Sequence, residues 1–258
     1  MEGNGTFTSS GLKLQRYLAV PHGREGRLPG LVMCHSFPVG PIDARRSGGT
    51  FPQLMDRIAN ELGWAAMAFN FRGCGRSEGD FSLQGWVDDL RAAIAHLREQ
   101  ADPYGIWIVG THTGGSLGTC VAANDPRIKG VAVLGARADF DDWAASPRRF
   151  LEHAREVGAV QTPGFPRQFD EWAREFRRFR PVGAAARVSN RPMLVIHGDE
   201  DESVPISDAR QLAQAHGNAE LRILAGAGHR LRHDPRVIAI LLGWLDRQKL
   251  ATMDQLTP

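Results

Sequence analysis

Short apolar runs alternate along this chain with longer stretches in which apolar residues recur at helical spacing. That alternation confines the fold to parallel strands joined by crossover helices, because a buried strand followed by an amphipathic helix packs back onto one sheet. The runs fall at residues 31–35, 65–71, 105–109, 130–134, 192–196 and 221–224. Between them, Phe51, Leu54, Met55, Ile58 and Leu62 mark a helix stopped by Gly63, and Trp86, Leu90, Ile94 and Leu97 mark a second. A small-residue helix follows to about Ala123, another covers residues 207–216, and a closing helix begins at Asp234-Pro235, an N-cap followed by proline at the first helical position. That helix turns Val237, Ile238, Leu241, Leu242 and Leu245 inward. Residues 11–20 alternate Leu12, Leu14, Leu18 and Val20 with mostly polar neighbours and read as an antiparallel edge strand. The polar residues 1–10 carry no strand assignment, and residues 252–258 read as a loose tail.

The alternation stops between residues 139 and 190. This divides the chain into a core of residues 1–138 and 191–258 and an insertion of 139–190, dense in aromatics and arginines. A net charge of +2, from 31 basic and 29 acidic residues, gives no global attraction to nucleic acid or an anionic membrane. No stretch approaches the ~20 apolar residues of a membrane span. The three cysteines, Cys34, Cys74 and Cys120, are an odd number in unrelated contexts, which suits reduced thiols. The expectation is a soluble cytoplasmic protein acting on a small molecule, with no cofactor.

The run at 105–109 leads into Gly110-Thr-His-Thr-Gly114, a strand-to-helix turn with His112 at its apex and a glycine two residues to either side. Glycines so placed let neighbouring backbone approach closely while the apex side chain is pushed out of the sheet. Two further pieces lie beyond later strands: His197-Gly-Asp-Glu-Asp-Glu-Ser-Val-Pro205, and Ala225-Gly-Ala-Gly-His229.

An apex residue, an acid and a histidine in this chain order, each after a strand, resemble the triad of the α/β-hydrolase superfamily, here similar to esterases and acyl hydrolases. The resemblance runs from about Leu31 to Leu245 and implies an α/β-hydrolase fold with a mostly parallel sheet and a small helical cap over the active site, formed by the insertion. It implies Asp201 as the triad acid and His229 as the base, with Asp199 a turn residue. His35-Ser36-Phe37 resembles the family's His-Gly-x, which implies an oxyanion hole formed by the backbone N–H groups of Phe37 and Thr113. Asn70-Phe-Arg-Gly-Cys-Gly-Arg-Ser-Glu-Gly79 resembles the loop after the fourth strand. The departure is at the apex, where the family's serine is His112.

An imidazole nitrogen lies farther from the backbone than a serine oxygen, so His112 does not take over attack on a carbonyl held for serine. Four readings stay open. The chain has lost acyl chemistry and binds a ligand or partner; Asp201 and His229 act as a general base with His112 polarising the substrate; His112 is itself a covalent nucleophile; or His112, His229 and a carboxylate hold zinc or iron. His35, Cys74 and Trp172 are candidate substrate contacts. His35 also suits a turn histidine bonded to backbone, and Cys74 is an alternative nucleophile without an adjacent histidine. In the insertion, Trp172, Phe176 and Phe179 share a helical face with Arg174, Arg177 and Arg178 largely elsewhere. Either those arginines are solvated or some face the cleft and favour an anionic substrate.

Overall fold

The computed structural model describes residues 3–23, 26–40 and 51–256. Its strands are β1 (Gly3–Ser9), β2 (Leu12–Ala19), β3 (Pro29–Cys34), β4 (Ala65–Phe69), β5 (Gly105–Thr111), β6 (Ile128–Leu134), β7 (Met193–Gly198) and β8 (Glu220–Leu224). They form one sheet in the order β1-β2-β4-β3-β5-β6-β7-β8. The pairings β1–β2 and β2–β4 are antiparallel and all others parallel. Strands β3 to β7 are buried almost throughout, which is why they read as continuous apolar runs.

Two readings of the N-terminal region are corrected. Residues 3–9 form a strand, and β1 rather than β2 is the sheet edge. Ser10 and Gly11, at φ +47° and +81°, make the two-residue turn that joins them.

The described helices are α1 (Pro52–Leu62), α2 (Leu83–Ala101), α3 (His112–Ala122), α4 (Asp141–Ala145), α5 (Pro147–Glu156), α6 (Phe169–Arg178), α7 (Pro181–Arg187), α8 (Ile206–His216) and α9 (Pro235–Leu256). Gly63 ends α1 in the left-handed region, its N–H bonded to Ala59. The Asp234 carboxylate accepts from Arg236 N–H at 2.9 Å, capping α9. That helix runs on to Leu256, so residues 252–256 are helical rather than a loose tail, while 257 and 258 lie outside the described residues. Among the described residues no helix is long and apolar enough to cross a membrane.

The sheet separates two apolar clusters. One joins Met55, Ile58, Trp64, Trp107, Val237 and Leu241 under α1 and α9. The other, under α2, α3 and α8, runs from Leu14 and Phe69 through Trp86 to the insertion aromatics Trp143, Phe150, Trp172 and Phe176. Of the four helices between β6 and β7, α7 packs on α3 and α8 within the main layer. The aromatics of α4, α5 and α6 pack on one another and on Phe37, at ring separations of 5.1 Å to Phe150 and 5.5 Å to Trp143.

Candidate active site

Strands β3 and β5 are neighbours, yet the chain leaves β3 toward β4 and β5 toward β6, on opposite sides. A crevice opens beyond the carboxyl ends of strands at such a reversal. A cavity lies there, lined by residues 35–39 after β3, by Thr111 at the end of β5 and His112 after it, and by residues 229–232 after β8. It leaves about 50 Å³ of room for water-sized molecules.

His112 holds φ at +43°, a left-handed conformation that costs a non-glycine residue energy and persists because its surroundings enforce it. A side chain at Gly110 would collide with the backbone of Gly115, and one at Gly114 with the carbonyl of His35. The turn is thus the tight strand-to-helix elbow implied by its glycines. One turn on, the buried Ser116 hydroxyl is held between the carbonyls of His112 and Arg137, at 3.1 and 3.0 Å, and accepts from Arg137 N–H. It braces the elbow and presents no nucleophile.

The His112 ring does not point forward as a serine hydroxyl would. Its Nδ1 lies 2.9 Å from the Gly135 carbonyl, which can only accept, so Nδ1 carries the proton and Nε2 the lone pair. Gly135 makes the space: a Cβ there would stand 2.7 Å from His112 Cε1. The ring lies face to face with His229, centroids 3.7 Å apart and planes inclined by 21°. Burial, with His229 adjacent, lowers the His112 pKa to about 4, so it is neutral at pH 7.

His229 Nδ1–H donates to both oxygens of Asp201, at 3.0 and 3.1 Å. The Asp201 side chain is fully buried, and its Oδ1 also accepts from the N–H groups of Ser203 and Val204 at 2.9 Å. Burial alone would raise this carboxyl; the bonds from His229, Val204 and Ser203 outweigh it and bring the pKa to about 2. With Nδ1 turned to Asp201, Nε2 is the remaining basic atom of His229, a residue of the cavity wall. His197 steadies the acid loop, its Nε2–H donating to Val204 O at 2.9 Å.

His112, Asp201 and His229 offer ligand atoms within 4.8 Å of one another, a set that includes two ligand types zinc accepts. The Asp201 oxygens are taken by three N–H donors, leaving the two Nε2 atoms. Each lone pair lies in its own ring plane, and planes inclined by only 21° with centroids 3.7 Å apart do not aim both nitrogens at one ion, while arginines 230 and 232 stand in the same wall. The arrangement as it stands does not fit a metal.

The other expected contacts divide. His35 lines the cavity, but its Nδ1–H donates to Ser36 O at 2.7 Å and its Nε2 accepts from Phe71 N–H at 3.0 Å, so both nitrogens tie β3 to the loop after β4. It serves the backbone, as the turn reading expected. Phe37 is on the wall, and Thr113 follows His112 in the first turn of α3, whose N–H groups have no intrahelical acceptor. Cys74 and Trp172 are not in the wall. Cys74 is buried in the apolar cluster, and Trp172 lies among the insertion aromatics with Nε1–H donating to Phe81 O at 3.2 Å. No residue of 139–190 is among those lining the cavity; the helices expected to cover the site pack beside it through Phe37. Arg178, for which a solvated place and a cleft-facing one were both open, is exposed and donates to Gln84 at 2.8 Å. The charged wall residues that the sequence reading passed over are Arg230 and Arg232. Their signal was their place one and three residues after His229.

Residues 31–240 match the model of the alpha/beta hydrolase family. The chain belongs to that family. It is 30% identical over 151 residues to the protein YfhR of Salmonella typhimurium, a match covering 56% of this chain and 47% of that protein. It is 26% identical over 200 residues to esterase LipC of Mycobacterium tuberculosis, covering 68% of this chain and 47% of the esterase. The chain thus spans about half the length of both relatives. Among solved structures, Est1E from Butyrivibrio proteoclasticus superposes with a TM-score of 0.73 at 18% identity, over 98% of this chain and 100% of Est1E, a likeness of fold.

Proposed function

We infer that the chain is a small-molecule ester hydrolase working without an acyl-enzyme, with His229 as general base toward water. The observation that carries this reading is the His229–Asp201 pair, formed at 3.0 Å beside an apex ring that stacks on the face of His229, with both histidines in the cavity wall. Neutral His112, with Nδ1–H held by Gly135, also offers a lone pair at Nε2. A water donating one O–H to each Nε2 is thereby oriented for attack. As its oxygen bonds to the carbonyl carbon, its proton passes to His229 Nε2 and the carbonyl electrons move to oxygen. The N–H groups of Phe37 and Thr113 are the donors for that oxyanion. Collapse expels the leaving oxygen, which takes the proton back from His229. Residues 1–138 and 191–258 are the catalytic core on this reading, and 139–190 a buttress that fixes Phe37.

The test is hydrolysis of short neutral p-nitrophenyl esters, followed by mass spectrometry for adducts. His229→Ala and Asp201→Asn are each expected to lower kcat/KM by 10² or more, the usual weight of a positioned base, with no burst and no acyl adduct in the parent. Full activity in His229→Ala, or an acyl adduct on the parent, overturns the mechanism. The smallness of the cavity favours a second reading, a ligand-binding protein without turnover, for which parent and variants would be equally inert.

A further inference from the structure

A second and larger cavity lies at the other ends of the same strands. Its wall is formed by Arg27 before β3, Arg98 in the last turn of α2, Tyr104 before β5, and Arg127 and Lys129 on either side of the start of β6. It leaves about 290 Å³ of room for water-sized molecules, against about 50 Å³ beside the paired histidines. Strand β5, from Gly105 to Thr111, separates the two by about 20 Å at a rise of ~3.3 Å per residue.

Four residues of this wall are cationic and none is acidic. Two carboxylates stand behind it. Asp102 accepts from Arg27 Nη2 at 2.9 Å, and Asp125 holds Arg127 bidentately, at 2.8 Å from Nε and 2.7 Å from Nη2. That bond, with Arg98 adding to it, keeps the Asp125 carboxyl below its usual range, so it is ionised at pH 7. Four cations against two carboxylates leave a surplus of two positive charges. Lys129 has no hydrogen-bond or ion-pair partner among the described residues, and Arg98 meets Asp125 through space, without a hydrogen bond.

The wall is also fixed before a ligand arrives. Arg191 donates from Nη1 to the Asp125 and Ile128 carbonyls, at 3.0 and 2.8 Å, and from Nη2 to that of Ala122 at 2.8 Å, which pins the turn carrying Arg127. The stem of Lys129 lies over Gly105, where a Cβ would stand 2.7 Å from its Cγ. Arg27 takes up the Asp102 and Pro103 carbonyls, at 3.1 Å each.

We propose that this cavity is a second binding site, for the phosphate monoester of a small aromatic or apolar alcohol. Such an ester carries close to two negative charges at pH 7, which answers the surplus, and its oxygens accept from guanidinium and ammonium donors alike. A carboxylate would leave half of the surplus unmet. The space beyond the phosphate, beside Pro103, Tyr104 and Pro126, takes the organic part. Nothing in this assignment rests on the catalytic reading of the other cavity.

The probe is phenyl phosphate, with benzoate as its monoanionic counterpart, titrated calorimetrically into the whole chain. The parent is expected to bind phenyl phosphate at least tenfold more tightly than benzoate, with affinity falling as salt is raised. Arg98→Gln with Lys129→Gln is expected to weaken phenyl phosphate at least tenfold. Arg174→Gln with Arg177→Gln, which removes the same charge from the exposed side of α6, is expected to leave it unchanged. Thermal melts check that each variant folds, and Lys129→Gln alone serves if the first pair does not. Failure of the parent to bind phenyl phosphate at millimolar concentration, or equal binding of benzoate, overturns the proposal. So does undiminished binding in the folded Arg98→Gln, Lys129→Gln protein, which would place the ligand elsewhere, or an equal loss in the α6 variant, which would reduce the effect to overall charge.

Discussion

At the scale of single residues, the elbow was legible and its use was not. Gly110 and Gly114 around His112 announced a turn too tight for side chains, and the φ of +43° at the apex is what that spacing demands. The pose of the His112 ring has a different origin. It depends on the missing Cβ of Gly135 and on the face of His229, 23 and 117 residues away, which no local pattern contains. The arginines concentrated in the insertion are no guide to the cavity, since α6 turns Trp172 and Phe176 inward and leaves Arg177 and Arg178 exposed. If the ring is what blocks acyl chemistry, His112→Ser should restore it, placing a hydroxyl at the apex within the field of the Asp201–His229 pair. The expected outcome is a pre-steady-state burst with p-nitrophenyl esters and labelling by a fluorophosphonate probe, neither seen with the parent. An unlabelled, folded variant would show that more than the apex residue has changed.

Among the elements, the parallel strands were readable because both their faces are buried. Strand β1 was not: Gly3, Asn4 and Gly5 have low strand propensity, and pairing with β2 supplies what the residues lack. Its one local signal was the Ser10-Gly11 turn. A comparable hidden tie joins α2 to the loop after β4. Asp89 lies on the buried face of α2, and its carboxylate accepts from Arg72 N–H at 2.9 Å and from Arg72 Nη2 at 2.7 Å. The aspartate is wholly buried and the arginine 13% exposed, so removing one partner strands a charge and a backbone N–H. Asp89→Ala should therefore cost about 3 kcal/mol in urea unfolding, with Tm lower by roughly 6–12 °C, whereas an exposed pair such as Arg57–Glu61 should contribute no more than about 0.5 kcal/mol. Equal costs at the two pairs would contradict the burial argument.

For the molecule as a whole, the neutral histidines set a dependence on pH. Burial lowers both His35 and His112 from 6.5 to about 4. Between those values the unfolded chain takes up a proton at each ring and the native protein does not, so stability is full above pH 6.5 and declines as pH falls toward 4. At 1.36 kcal/mol per unit the loss is roughly 3 kcal/mol for each ring, a large part of an ordinary folding free energy. Glu175 and Asp208, which burial raises, act in the opposite sense at the acid end of that range. Asp201 gives up its contribution only below about pH 4. Urea midpoints measured from pH 7.5 to 4.5 should fall steadily, and less steeply in His112→Ser; a flat profile would mean that these rings are solvated. The same ring has a consequence for traffic. Two imidazoles 3.7 Å apart are already in contact, and no planar molecule slides between them. They act as one slab, and an incoming acyl group can meet only its rim, so the trajectory of arrival is sorted by shape before any bond is made.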